Sequence, residues 1–431
     1  MRALAVAAGV LFAAPALAGP YLLIDAKSGH VIAQSDAGKP WHPASVTKLM
    51  TTYLAFRAMR DGVIEANTLF EVSDQAMAQP PSKMGFKAGT QITVDNAIKM
   101  LMVRSANDIA VVIAEGLSGS VDAFVEKMNR TAAELGMDGT HFVNPHGLPD
   151  EGQVTTARDM AILARTLINE FPEYELYFRI PAIRIGKRVI RNHNRLIDRY
   201  PGADGMKTGF ICSSGFNVVA GAARDGKRLI AVVFGAYSAA QRAEDAARLL
   251  ERGFHREAAL ASLFDNEIGT VESIHNVGGP ATDLRDLMCN PKRKRPAAES
   301  DIDEDDDASA AADKGGVKGK AKETKSASLL GPLVQSMPPI RVFTGPPSKV
   351  PEANLVAEPE KDEKRAKATP AKLATPMPAA RPEKIATPAK DKGTGSHGSK
   401  KTQSASAGAS GTAKKPAASA AKPAANATSK K

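Results

Sequence analysis

The chain has 431 residues, a net charge of +10 and an apolar fraction of 43%. Residues 1–290 contain 30 basic and 31 acidic side chains, whereas residues 291–431 contain 27 and 16. Because the first two thirds are almost neutral, a nucleic-acid-binding body is disfavoured. The last third has one aromatic residue, Phe343, and lacks the apolar side chains that offset chain entropy. The composition predicts one folded body followed by a long disordered tail.

The first 18 residues are typical of a secretory signal peptide. Arg2 precedes an apolar run, and Ala16-Leu17-Ala18 offers a cleavage site of small residues before Gly19. The apolar run, at about 16 residues, is short for a helix that spans a bilayer, and no other run of 18 apolar residues follows. We therefore expect export across the inner membrane, a periplasmic or cell-wall location, and no transmembrane helix.

Two cysteines, Cys212 and Cys289, are too few to form a disulfide framework. The two could pair with each other. Since Cys289 lies at the end of the predicted body, however, we expect two free, partly buried thiols.

Strands are predicted at both ends of the body, with helices between them. Near the N-terminus, two apolar runs within residues 20–33 flank the turn residues 25–29. Further on, residues 216–223 and 229–236 form a hairpin around Asp225-Gly226. This order suggests an α+β fold with one antiparallel sheet built from both ends of the body. Thr93, Ser120 and Thr156 are predicted to cap three of the helices. The predicted helices lie within residues 49–56, 93–103, 108–115, 120–136, 156–168 and 239–252.

Three short motifs carry candidate catalytic residues: Ser45-Val46-Thr47-Lys48, Ser105-Ala106-Asn107 and Lys207-Thr208-Gly209. Each alone is a weak signal, but this order after a signal peptide is typical of serine β-lactamases and penicillin-binding proteins. Ser45 and Lys48 are three residues apart at the start of a helix, so their side chains share one face. Burial and a second cation, for which Lys207 is the candidate, lower the pKa of a lysine. A neutral Lys48 could then take the proton of a nucleophilic Ser45.

The second and third motifs are expected to complete a cleft beside Ser45. Ser105 and Asn107 fall between two predicted helices, where Ser105 could relay a proton to a leaving nitrogen and Asn107 could hold a substrate amide. An ordinary Asx turn is the alternative for this segment. The third motif precedes the strand at 216–223, and an edge strand there could pair with an extended peptide. Gly209 would let the ligand approach the backbone closely.

Longer segments around these motifs resemble the low-molecular-mass penicillin-binding proteins, specifically the serine D-alanyl-D-alanine carboxypeptidases. The likeness extends over about residues 20–254. The resemblance implies a penicillin-binding or serine β-lactamase-like fold, with an antiparallel sheet, a helical region and the site between them. The segments that carry it are residues 41–51, 144–148, 156–160 and 204–210.

The resemblance also implies catalytic roles. Ser45 would be the acyl-enzyme nucleophile and Lys48 the general base. The residues that assist proton transfer and positioning would be Ser105, Asn107 and Lys207.

For substrate binding, the resemblance implies an oxyanion hole made of the backbone N–H groups of Ser45 and Phe210. Many family members have His where this chain has Phe210, but only a backbone N–H is required there. Thr208, next to Gly209, and Arg242 would contact the terminal carboxylate of the substrate.

The implied reaction is hydrolytic removal of the terminal D-alanine from peptidoglycan stem pentapeptides, with β-lactams as covalent inhibitors. No metal or cofactor is expected, because the chemistry requires none and the eight histidines show no metal-binding spacing. His146 is assigned a structural role. Three alternatives remain: a D,D-endopeptidase, a β-lactamase on the same fold, and a catalytically idle protein that binds the cell wall.

The predicted organisation is a signal peptide at 1–18, a D,D-peptidase catalytic domain at 19–279 and a disordered low-complexity tail at 280–431. Residues 371–431 contain 12 basic and 2 acidic side chains. This stretch is either a solvated spacer or a segment that binds an anionic wall polymer or lipid surface by charge.

Overall fold

The computed structural model describes residues 19–255, 269–290, 292 and 328–347. The predicted signal peptide and the basic stretch at 371–431 therefore lie outside the described residues. The strands are β1 (Tyr21–Asp25), β2 (Val31–Ser35), β3 (Leu69–Glu71), β4 (Gln91–Thr93), β5 (Ala182–Ile185), β6 (Arg188–Arg191), β7 (Ala203–Ile211), β8 (Gly215–Arg224), β9 (Lys227–Ala236) and β10 (Ile340–Arg341). The α-helices are α1 (Lys48–Arg60), α2 (Asp74–Met77), α3 (Val94–Val103), α4 (Asn107–Ser118), α5 (Val121–Glu134), α6 (Ala157–Glu170), α7 (Leu176–Arg179), α8 (Ala239–Phe254) and α9 (Arg285–Met288).

Three helices begin where the sequence predicts a capping residue. The side chains of Thr93, Ser120 and Thr156 each accept a hydrogen bond from the backbone N–H three residues ahead, at the starts of α3, α5 and α6. Such caps satisfy N–H groups that have no partner within the helix. None of the described helices is both long and apolar enough to cross a bilayer.

The main sheet is antiparallel and has five strands in the order β2-β1-β9-β8-β7. The prediction that both ends of the body contribute to one sheet is thus confirmed. The β8–β9 hairpin turns at Asp225 and Gly226, which both have positive φ, as a tight two-residue loop requires. Strand β7, which carries the third motif, lies at an edge of the sheet.

The two faces of the sheet are covered by different helices. Side chains alternate along each strand, so that Leu22 and Ile24 of β1 face one apolar cluster whereas Leu23 faces another. The first cluster includes the buried side chains of α1, α3, α4 and α6, and the second includes those of α8. The last residue of the first motif, Lys48, is the first residue of α1, and the last residue of the second motif, Asn107, is the first residue of α4. The helical layer thus brings both motifs toward β7.

The expectation of two free thiols is wrong, because Cys212 and Cys289 form a disulfide with their Cα atoms 5.6 Å apart. The chain returns to the sheet through α9, which the sequence analysis did not predict. The N–H of Leu284 donates to the carbonyl of Ser213 (2.9 Å), and buried Met288 packs with Phe216. These contacts carry Cys289 to the end of β7.

Two segments that the sequence analysis places in the predicted tail are among the described residues. Residues 281–290 contain α9 and the disulfide cysteine. Residues 328–347 cross the surface of the body, where β10 pairs in parallel with β5. Val342, which follows β10, is buried in the first apolar cluster. The other residues of the predicted tail lie outside the described part of the chain.

Candidate active site

Residues of the first two motifs, and the residue that follows the third, line a cleft of about 690 Å³ between the helical layer and β7, an edge strand of the described sheet. Ser45, Ser105 and Asn107 line this cleft together with Phe210. The other lining residues are Pro81, Ser82, Gly147, Leu148, Pro149, His193, Ile211, Cys212, Ser213, Arg285 and Cys289. The cleft therefore contains a hydroxyl that could act as nucleophile next to a strand edge that could hold an extended peptide.

Ser45 lies in a single 3-10 turn, Ala44–Thr47, which continues directly into α1. Lys48 is the first residue of α1, so its side chain folds back over the turn toward Ser45. The Nζ atom of Lys48 lies 2.9 Å from Ser45 Oγ, while the Lys48 side chain is fully buried and Ser45 is half-buried. The predicted pairing of these two side chains on one face is present in the structure.

Lys48 Nζ also makes hydrogen bonds with the second motif and with the segment that contains His146. It donates to Asn107 Oδ1 at 2.8 Å and to the backbone carbonyl of His146 at 2.6 Å. Burial, with the nearby charge of Lys48 as a second cause, lowers the pKa of His146 to about 3. The imidazole is therefore neutral at physiological pH, and its Nδ1 accepts from the N–H of Leu148 at 3.2 Å.

Ser105 and Asn107 lie at the junction of α3 and α4. Ser105 has a positive φ of 60°, a sparsely populated backbone conformation for a residue other than glycine. Its Oγ is buried and has no hydrogen-bond partner among the described residues. Asn107, the first residue of α4, donates from Nδ2 to the carbonyl of Pro80 at 3.1 Å. The carboxylate of Asp108 accepts from backbone N–H groups at residues 84 and 85, which holds residues 80–85 beside the motif.

Strand β7 packs directly against the turn that carries Ser45. A Cβ atom built on Gly209 would lie 2.7 Å from the backbone nitrogen of Ser45, closer than any real Cβ contact. Glycine is thus required at this position for the strand to approach the turn. Lys207 is buried and donates from Nζ to the carbonyl of Thr208 at 2.8 Å. The placement of Gly209 brings the N–H of Ser45 close to the strand that carries Phe210.

The predicted substrate-binding residues divide into two groups. Phe210 lines the cleft and stacks on Phe216, with ring centroids 4.3 Å apart. Arg242 is buried in α8, where it donates to the backbone carbonyls of Asn217 (3.4 Å) and His193 (3.3 Å). Thr208, Gly209 and Arg242 are not among the described residues that line the cleft, so their contacts with a substrate stay predictions.

Sequence reasoning missed several parts of the site. The carbonyl of His146 holds Lys48, but nothing in the sequence distinguishes one backbone carbonyl from another. The disulfide brings Cys212 and Cys289 to the cleft wall together with Arg285. The signal available for this last feature was the even number of cysteines, one of them three residues after the third motif.

A family model described as D-alanyl-D-alanine carboxypeptidase, peptidase S11, matches residues 12–238. Among curated relatives, the D-alanyl-D-alanine carboxypeptidase DacF of Bacillus subtilis is 37% identical over 239 residues, which are 54% of this chain and 61% of the relative. The carboxypeptidase DacA of Escherichia coli is 36% identical over 241 residues, 54% of this chain and 60% of the relative. The chain thus spans about three fifths of the length of these relatives.

Solved structures agree with the sequence comparison. Penicillin-binding protein 6B from Escherichia coli aligns with a TM-score of 0.54 and 34% identity, covering 58% of this chain and 82% of that protein. Penicillin-binding protein 5 from Haemophilus influenzae aligns with a TM-score of 0.54 and 33% identity, covering 56% and 72%. Because the family model matches more than half of the residues and the fold agrees with that of solved penicillin-binding proteins, the chain belongs to the peptidase S11, or D-alanyl-D-alanine carboxypeptidase, family.

Proposed function

We propose that the protein is a serine D-Ala-D-Ala carboxypeptidase that removes the terminal D-alanine from peptidoglycan stem pentapeptides through an acyl-enzyme on Ser45. The observation that carries this proposal is the contact of 2.9 Å between Lys48 Nζ and Ser45 Oγ, since Ser45 lines a cleft bordered by an edge strand of the described sheet. Such a pair supplies a nucleophile and its base, and the edge of β7 supplies backbone groups for an extended peptide.

The partners of Lys48 determine how it would act as a base. A neutral amine has two N–H groups and one lone pair. Asn107 Oδ1 and the carbonyl of His146 can only accept hydrogen bonds, so they take the two N–H groups. In the structure Lys48 Nζ donates to Ser45 Oγ at 2.9 Å; once Lys48 has lost a proton, its lone pair can accept the proton of the Ser45 hydroxyl over the same contact. This arrangement favours transfer of the Ser45 proton to Lys48 as Ser45 Oγ attacks the substrate.

The acyl transfer would proceed in two stages. Ser45 Oγ bonds to the carbonyl carbon between the two D-alanines, and the carbonyl oxygen becomes an oxyanion stabilised by the N–H groups of Ser45 and Phe210. The departing nitrogen takes a proton through Ser105, whose buried Oγ has no other partner among the described residues. Free D-alanine leaves, and water then hydrolyses the Ser45 ester to release the shortened peptide.

The catalytic domain would include more of the chain than residues 19–279. We assign residues 281–290 and 328–347 to it as well, because α9 and β10 pack against the body. The Cys212–Cys289 disulfide supports an oxidising compartment such as the periplasm or the cell wall. Together with the signal peptide predicted at 1–18, it supports export of the protein.

The experiment is D-alanine release from a peptide that ends in D-Ala-D-Ala, measured for the purified protein and for the Ser45→Ala and Lys48→Met variants. We expect release by the wild type and none above background by Ser45→Ala. Ser213→Ala is the control: it removes the hydroxyl of a different serine that lines the cleft, and it should retain activity. Rapid turnover of benzylpenicillin would instead indicate a β-lactamase. Cleavage of cross-linked peptides without D-alanine release would indicate an endopeptidase.

A further inference from the structure

Arg285 is a cation at the wall of the cleft that the proposed reaction leaves unused. Among the described residues that line the cleft, Arg285 is the only one with a permanent charge. Its side chain is 62% exposed, and its ion-pair partner Asp283 lies 3.7 Å away. A guanidinium that is largely exposed and only loosely paired can accept a second anionic partner from a bound molecule.

The position of Arg285 is set by the sheet rather than by a free loop. Arg285 begins α9, four residues before Cys289, which is bonded to Cys212 at the end of β7. The residue before it, Leu284, donates its N–H to the carbonyl of Ser213 at 2.9 Å. Met288 is buried against Phe216 on β8. Arg285 is thus attached to the strand that would hold the substrate.

The direction of β7 indicates which part of a substrate lies near Arg285. The strand runs from Thr208, the predicted partner of the terminal carboxylate, through Phe210 to its last residue, Ile211, which precedes Cys212. The scissile carbonyl would lie at the N–H of Phe210. The substrate residues that precede the scissile bond would therefore extend in the other direction, toward Cys212. Since one extended residue spans about 3.3 Å, the residue before the two D-alanines lies in the part of the cleft that Arg285 borders.

We propose that Arg285, held by the Cys212–Cys289 disulfide, is a specificity residue that binds a side-chain carboxylate on the substrate residue preceding the two terminal D-alanines. This inference rests on the proposed function and adds a preference among substrates to it. The preferred substrates are peptides whose third residue from the C-terminus is anionic. A neutral residue at that position would bind without the ion pair.

The test compares two peptides, N-acetyl-L-Glu-D-Ala-D-Ala and N-acetyl-L-Gln-D-Ala-D-Ala, which differ only by the charge. An exposed ion pair changes affinity by about two- to fivefold, so the wild type should hydrolyse the Glu peptide with a KM lower by that factor and a similar kcat. Arg285→Gln should raise the KM for the Glu peptide to that for the Gln peptide. It should change neither the turnover of the Gln peptide nor the rate of acylation by benzylpenicillin.

A matched control separates a local ion pair from a general charge effect. Arg252→Gln removes the same charge from an exposed position near the end of α8 that does not line the cleft, and it should keep the preference for the Glu peptide. The double variant Cys212→Ser/Cys289→Ser should lose the preference, because the covalent link that fixes the end of α9 at Cys212 is then absent. The preference should also weaken with added salt.

Three results would overturn the proposal. These are equal KM values of the wild type for the two peptides, equal impairment of both peptides in Arg285→Gln, and loss of the preference in Arg252→Gln. If the wild type releases D-alanine from neither peptide, the proposed function fails. The role of Arg285 is then decided by binding alone, from how strongly each peptide slows acylation of Ser45 by benzylpenicillin in the wild type and in Arg285→Gln.

Discussion

Replacing Gly209 by Ala tests the close approach of β7 to the nucleophile. The added Cβ would lie 2.7 Å from the backbone nitrogen of Ser45, and ordinary van der Waals contact begins at 3.4 Å. The strand and the turn must therefore separate by about 0.7 Å. A misplacement of about 1 Å in an active site can cost about 100-fold in rate, and loss of one oxyanion donor costs about 100- to 1000-fold. We expect acylation to slow by about 10- to 100-fold.

The assay is the second-order rate of Ser45 acylation by a fluorescent penicillin, together with thermal unfolding. Overpacking of this kind costs about 1–3 kcal/mol of stability, so Gly209→Ala should remain folded at 25 °C. Gly278→Ala is the matched control, because an added Cβ there meets no atom within 4 Å. Its acylation rate should equal that of the wild type. An unchanged rate in folded Gly209→Ala would refute the argument that this contact sets the geometry of the oxyanion hole.

Three further predictions follow from burial and cross-linking. The pKa of His146 is about 3 in the folded state and about 6.5 in the unfolded state. Between these pH values the imidazole binds a proton mainly in the unfolded state, so the free energy of unfolding falls as the pH drops below about 6.5. Urea unfolding at pH 7 and pH 5 should therefore show a smaller decrease in this free energy for His146→Gln than for the wild type. The disulfide closes a loop of sequence separation 77, and Cys212→Ser/Cys289→Ser should lower the unfolding free energy by about 2–4 kcal/mol; an unchanged midpoint in urea would contradict this. Val342→Ala should lower the free energy of unfolding by about 1.5–2.5 kcal/mol and so lower the thermal midpoint. Val334→Ala, at a position that is 67% exposed, should leave the thermal midpoint unchanged.

Local sequence signals predicted most elements of the body, because each of these elements is determined by residues that are close together in the sequence. The caps at Thr93, Ser120 and Thr156 and the Asp225-Gly226 turn were assigned from residue type and apolar spacing, and the structure contains each of them. The same holds for the pairing of Ser45 with Lys48, since a separation of three residues on a helical turn brings side chains together.

The parts that were not predicted depend on contacts between residues far apart in the sequence. The carbonyl of His146 reaches Lys48 across 98 positions, and no local pattern marks it. The disulfide depends on α9, a helix of four residues that is stabilised by contacts with β8 rather than by its own sequence. Val342 lies in a Pro-rich apolar segment within the predicted tail, and no local pattern shows that β10 pairs with a strand 157 positions earlier, with Ile340 opposite Ile183.

The most direct test of the account is to locate the covalent bond formed during turnover. The protein is quenched in acid within milliseconds of mixing with a peptide that ends in D-Ala-D-Ala, digested and examined by mass spectrometry, with a penicillin-treated sample as reference. Both adducts should lie on the peptide that contains Ser45, and neither should form in Ser45→Ala. An adduct on any other residue, or D-alanine release that persists in Ser45→Ala, would contradict the assignment of Ser45 as the nucleophile.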